Sequence, residues 1–289
     1  MKTAKFWVAL LALLVLGLGC SHTSADTKKK QTADAYFKLG VFYLENGNYK
    51  AAIPEFRKAL DLDPDGAVYH FSLGTAYSMD GRDKEAIDEL NASLRLDPQN
   101  SEAHNNLGYI YAKNQKWPEA IAEFKAALAN PDYGRPYSAH LNLGECYFRQ
   151  GNIDASVEEY KQAMQLKPES DVAHLGLAKA YLKKGQVDPA IEEYKLVLSS
   201  QPDSAFARSD LAKAYLLKGE PDLAVEEFKK SLKTNNKQPQ IDFWYSAGGV
   251  YLNRGNKGEA TRSFEKVIEL DPKSPLAHEA RKQLESIKQ

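Results

Sequence analysis

Histidines His70, His104, His140 and His174 recur at intervals of 34, 36 and 34 residues, and His278 takes the matching place near the C-terminus. A row of imidazoles is raw material for a metal site, because neutral imidazole is a frequent ligand. The spacing argues against one shared ion. If each histidine sits on its own copy of a repeated helix pair, neighbours stand about 10 Å apart, since packed helices are separated by about 8–10 Å. Ligands of one zinc must each come within about 2.1 Å of it. The imidazoles are therefore expected to pack between helices, with no metal bound. Two cysteines remain as reactive groups. Cys146 falls in an apolar register, where a buried structural thiol is expected rather than a nucleophile. Carboxylates in "EEYK" and "EEFKK" lie near lysines and read as solvated helix faces with i,i+4 pairing. The sequence holds no phosphate-binding glycine loop, serine elbow or clustered zinc-ligand motif. The expectation is a protein without catalysis, cofactor or small-molecule substrate.

Cys20 belongs to different material. Lys2 and Lys5 precede an apolar run from Phe6 to Leu18, then Gly19 and Cys20. A positive head, a short apolar core and a small residue form a secretory signal over 1–19. The run is short for a membrane span, which needs about 20 residues. "LGLGC" resembles the lipobox of bacterial lipoproteins, with Gly17 where leucine is usual. That resemblance implies cleavage before Cys20, a covalent lipid (palmitate among the acyl groups) on Cys20, and no disulfide to Cys146. Ser21 in place of Asp after the cysteine implies the outer membrane, facing the periplasm. Residues 20–32 read as the lipidated cysteine and a flexible tether.

The elements that carry the histidines repeat. The units run 33–66, 67–100, 101–134, 137–170, 171–204, 205–238 and 241–274. Position 11 of each is Tyr43, Tyr77, Tyr111, Tyr147, Tyr181, Tyr215 and Tyr251. Position 8 is always Gly or Ala, position 20 is Ala except Ser156, and position 24 is Phe56, Leu90, Phe124, Tyr160, Tyr194, Phe228 and Phe264. Apolar residues recur at three and four within each unit, the period of amphipathic helices. Gly47, Gly81, Gly151, Gly185, Gly219 and Gly255 separate two such stretches and can end the first helix. Small residues at 8 and 20 permit close helix approach, and the residue at 24 fills the space beside them. Asp-Pro and Lys-Pro pairs stop the second helix. The pattern resembles the tetratricopeptide repeat (TPR) over 33–274. That implies an all-α fold: a helix-turn-helix solenoid, a right-handed superhelix of seven repeats. Residues 275–289 read as a polar-backed capping helix.

In that family the first helices line a concave surface that binds partners. Its contact positions fall on Phe37, Val41 and Leu44 in the first repeat, and on Val68, Phe71, Thr75 and Met79 in the second. The third gives Asn105, Asn106 and Tyr109, with Lys113. The fourth gives Asn142, Glu145 and Phe148, with Leu141 and Arg149. Apolar residues in the first two repeats suit an extended strand or an amphipathic helix. Asn105 and Asn106 can donate to and accept from a peptide backbone. Later repeats are more charged, with Lys179, Lys183, Asp210 and Lys213. A net charge of −1 argues against nucleic acid as the main partner.

Two slips of two residues break the period, at 130–136 and at Gln238–Gln240. Short insertions cost little loop entropy. "NPDYGRPYSAHLNLG", carried by Asn130, Pro131, Tyr133, Pro136, Ala139, Asn142, Leu143 and Gly144, resembles the type IV pilus biogenesis lipoproteins of the PilF/PilW group. The resemblance implies a pilotin: an outer-membrane lipoprotein that helps a secretin ring assemble by binding its subunits. Seven repeats stand here where six are usual. The alternatives are a TPR lipoprotein scaffold for cell-wall or exopolysaccharide machinery and, in another class, a cell-envelope hydrolase.

Overall fold

A computed structural model describes residues 26–231 and 237–288. The leader and Cys20 lie outside the described residues. All regular structure among the described residues is helical. Helix α1 spans 26–45. It is followed by α2 (Tyr49–Leu62), α3 (Ala67–Met79), α4 (Asp83–Leu96), α5 (Ser101–Lys113), α6 (Trp117–Leu128), α7 (Pro136–Gln150) and α8 (Ile153–Leu166). Then come α9 (Asp171–Lys183), α10 (Val187–Ser200), α11 (Ala205–Lys218), α12 (Pro221–Ser231), α13 (Lys237–Asn253), α14 (Lys257–Leu270) and α15 (Pro275–Lys288). Residues 26–32, expected in a tether, thus form the start of α1. The chain divides into two compact units, residues 1–139 and 140–289.

Local chemistry repeats with the helices. Asn48, Asn152 and Asn256 cap second helices, accepting from the backbone N–H of Ala51, Ala155 and Glu259. Asn100, Ser170 and Ser204 cap first helices in the same way. Each such cap stabilises its helix by about 1 kcal/mol. The turn between the two helices needs a left-handed residue, and the six glycines named above supply it with φ between 71° and 87°. The third repeat has no glycine there, and Gln115 takes the conformation instead, at φ 59°.

Within each pair, position 8 meets position 24. A Cβ added at Gly108 would sit 2.9 Å from the Phe124 ring, and one at Gly248 would sit 2.7 Å from Phe264. Both rings are buried. In unit 1, Ala52, Phe56, Leu73, Ala76, Tyr77, Leu90, Leu107 and Ile110 make one continuous core. In unit 2, Tyr194 with Leu211 and Phe228 with Ile241 and Phe264 anchor its larger clusters. Cys146 is buried and unpaired, and burial, with Glu145 nearby, pushes its thiol up to about 12.

The slips have distinct local outcomes. At the first, Tyr133 turns inward and packs with Ala127 and Ala139, while Arg135 pairs with Glu102. At the second, Gln238–Gln240 are absorbed into α13, which reaches 17 residues.

The histidines do more than pack. In each of four repeats the Nδ1 meets a glutamate of the second helix: His70–Glu89 at 2.6 Å, His104–Glu123 and His140–Glu159 at 2.7 Å, and His174–Glu193 at 2.5 Å. In three of them Nε2 also reaches a proline carbonyl: Pro64, Pro98 or Pro168. Arg208 makes the same double contact with Glu227 and Pro202. This clasp ties both helices of a repeat to the loop before them. No group of three His, Cys, Asp or Glu side chains suited to a metal occurs among the described residues.

At His104 both ring nitrogens face acceptors, so the protonated ring satisfies both. The bond to Glu123 raises its pKa above the ordinary 6.5, against the opposing effect of burial. A raised folded pKa gives stability that is complete below 6.5 and is lost as pH rises through the higher value. Unfolding midpoints of unit 1 are therefore expected to fall between pH 6 and pH 9 by more in the parent than in His104→Gln. Equal slopes would contradict the assignment.

Candidate partner-binding surface

The first helices α3 and α5 lie side by side in unit 1. A hydrogen bond fixes their register: the Asn106 amide donates to Thr75 Oγ1 at 3.0 Å, and Thr75 donates to the Phe71 carbonyl at 2.9 Å. Val68, Thr75 and Met79 recur near one side of α3, because seven and eleven residues bring a helix back to almost the same direction. Val68 is 48% exposed and Met79 59%, and Tyr109 on α5 is 56% exposed. Large apolar side chains left this open on one face make it the candidate interaction surface of unit 1.

Polar groups on the same face are uneven. Lys113 is held by Asp83 at 2.8 Å, and Asn114 donates to the same carboxylate at 2.9 Å. Asn105 is buried, and its Oδ1 has no hydrogen-bond partner among the described residues. A buried acceptor without a donor costs about 1–3 kcal/mol, and because this oxygen is closed to solvent the cost falls on the packing of the third repeat and not on contact with a partner.

The other expected contact residues divide. Phe37, Val41, Leu44 and Phe71 are half-buried against the unit 1 core. The Phe37 ring lies 5.8 Å from Phe56 and 5.1 Å from Tyr69, between centroids. These four hold the first two repeats together and show only an edge to solvent. In unit 2, Asn142 is half-buried and Phe148 packs against Val157, Tyr160 and Leu177. Glu145 is exposed; it pairs with Arg149 at 2.6 Å and accepts from the Tyr160 hydroxyl at 3.1 Å. Burial, then Glu145, raises the Tyr160 pKa far above the usual range, so that hydroxyl stays a donor.

Unit 2 also exposes residues absent from the expected contact set. Phe206 is 84% exposed and Val172 63%. Both occupy position 2, the register of Val68, so the signal was present in the repeat itself.

Comparison with known proteins bears on the whole chain. Family models described as tetratricopeptide repeat match residues 25–171 in overlapping stretches, then 149–213, 207–238 and 241–274. A curated relative, the type IV pilus assembly protein PilF of Pseudomonas aeruginosa, is 41% identical over 69 residues, 22% of this chain. The aligned stretch spans 27% of that relative. The solved structure of Pseudomonas aeruginosa PilF matches with a TM-score of 0.54 at 20% identity, over 89% of this chain and 99% of that one. The structure of PilW, a widely conserved type IV pilus biogenesis factor, matches with a TM-score of 0.52 at 19% identity, over 90% and 99%. At these identities the structural likeness shows the fold.

Proposed function

The chain belongs to the tetratricopeptide-repeat family, and from that premise we propose that it is a lipid-anchored adaptor that holds a protein partner during type IV pilus biogenesis. It is a protein-interaction scaffold related to the PilF and PilW biogenesis factors. The finer reading adds a place and a client. Acylation of Cys20 anchors the chain at the outer membrane, facing the periplasm, and the client is a secretin or another pilus-assembly subunit. Several acyl chains contribute about 0.8 kcal/mol per buried methylene, enough for stable attachment. No reaction step is required of the protein.

One observation carries the reading: the α3–α5 face leaves Val68, Met79 and Tyr109 open to solvent, and the Asn106–Thr75 hydrogen bond holds the two helices in register beneath them. Val68, Met79 and Tyr109 offer apolar contact for a peptide or helix. Buried aromatic contacts of this kind dominate binding at interfaces. The test is capture of secretin subunits by the double variant Val68→Glu, Tyr109→Glu. Capture is expected to fall at least about tenfold with helicity unchanged, the loss of a single strong anchor. Undiminished capture would remove this face from the function. Cys20→Ser is expected to release the protein from membranes, and retention would contradict the anchor.

A further inference from the structure

A second surface lies in unit 2 and has a different chemistry. Helices α9 and α11 are joined across their exposed faces by one carboxylate. Asp210 lies 3.0 Å from the Lys213 ammonium and 4.0 Å from that of Lys179. Lys183, one turn beyond Lys179, is also exposed. Two cations therefore share one carboxylate, and a third lies one turn away. At the other end of the same face stand Val172 and Phe206, the latter the most open large apolar side chain among the described residues. Among the described residues, Phe206 belongs to neither of the two larger core clusters of unit 2.

The two helices carry the same arrangement. Val172 precedes Lys179 by seven residues, and Phe206 precedes Lys213 by seven. Seven helical residues advance about 10 Å along the axis. An extended peptide covers that distance in three residues, at about 3.3 Å each. We propose that the α9–α11 face is a second docking site, for an acidic polypeptide segment with one large apolar residue about three positions from its carboxylates. The apolar side chain covers Phe206 and Val172. The carboxylates meet Lys179, Lys183 and Lys213, whose charge Asp210 leaves unbalanced. An anionic bilayer would satisfy the charges too, but it offers nothing that matches the fixed spacing of apolar and cationic groups on both helices. This site is separate from the α3–α5 face and stands or falls independently of it.

The test uses the full chain and a labelled peptide, Gly-Glu-Glu-Ser-Ser-Phe-Ser-Ser-Glu-Glu-Gly, whose acids lie three and four positions from the aromatic in either direction. Fluorescence anisotropy is expected to show saturable binding that weakens as salt rises from about 50 to about 500 mM, because screening shortens the reach of the lysines. Phe206→Ala and the pair Lys179→Gln, Lys213→Gln are each expected to weaken it at least about tenfold, as is replacing the peptide's Glu by Gln. Val68→Glu, Tyr109→Glu should leave it unchanged. Phe206 is open, so its truncation leaves the fold intact, which circular dichroism checks. Absence of saturable binding up to about 1 mM, the weak end of specific recognition, would overturn the proposal. So would unaltered binding by Phe206→Ala. If vesicles with about one third phosphatidylglycerol bind through these same residues while the peptide does not, the face is a membrane contact and the proposal fails.

Discussion

Phe124→Ala is expected to remove about 3–5 kcal/mol from the stability of unit 1, the usual cost of deleting a fully buried aromatic ring. Phe124 is sealed from solvent and lies on Gly108. Two terms add. The variant has no ring to transfer out of water on folding, so that part of the burial free energy is lost. The space it leaves is hard to close, because the wall opposite is the bare backbone of α5 at Gly108. Helix backbone cannot swing inward as a side chain can. The neighbouring Ala120 and Ala127 are too small to fill the gap. Chemical unfolding followed by helicity and by tryptophan fluorescence, with Trp117 at the start of α6, measures the effect. In a stacked array the damage can uncouple one repeat from its neighbours, so the two probes are expected to separate. A loss below about 1 kcal/mol would mean that the α5–α6 seam repacks freely, contrary to the rigidity argued above.

Phe37→Glu is expected to be nearly as costly, about 3–5 kcal/mol, although position 5 is a contact position in the family. The ring sits between Phe56 and Tyr69. A carboxylate in its place loses both aromatic neighbours and enters a partly dry space. It also approaches Asp34, which already accepts from the Tyr69 hydroxyl. Met79→Glu is the control. Its side chain is open, and the change is expected to stay within about 0.5 kcal/mol. Unfolding midpoints of the two variants decide the matter. Similar, small effects would place Phe37 on the open face after all. A large effect for Phe37→Glu alone means that loss of partner capture by that variant reports folding and says nothing about recognition.

The repeat was fully legible, because its signals are local. Tyr at position 11, small residues at 8 and 20 and a bulky one at 24 are set by contacts inside each helix pair. Every copy solves the same packing problem. The clasp was half legible. Glu89, Glu123, Glu159, Glu193 and Glu227 all follow the position-4 residue by 19, yet the third member is a proline carbonyl, and backbone acceptors leave no mark on residue identity. The binding face was the least legible. The family's contact positions name Phe37 and Phe71 together with Tyr109, and whether such a residue is open depends on how far its neighbours lean over it. Long side chains on a helix tilt toward the preceding turn, so a shift of one position moves a ring from groove to core. Phe206 was legible as a position-2 residue like Val68, but its degree of exposure was not, because that comes from what fails to cover it.

Cys146 has a practical consequence. A thiol sealed in the core and held protonated to about pH 12 is inert to maleimide dyes under native conditions. With Cys20 replaced, Met79→Cys and Val172→Cys would each introduce a uniquely labelled site, one on either candidate face. Two singly dyed proteins, titrated with the same client, would then report separately which face goes dark.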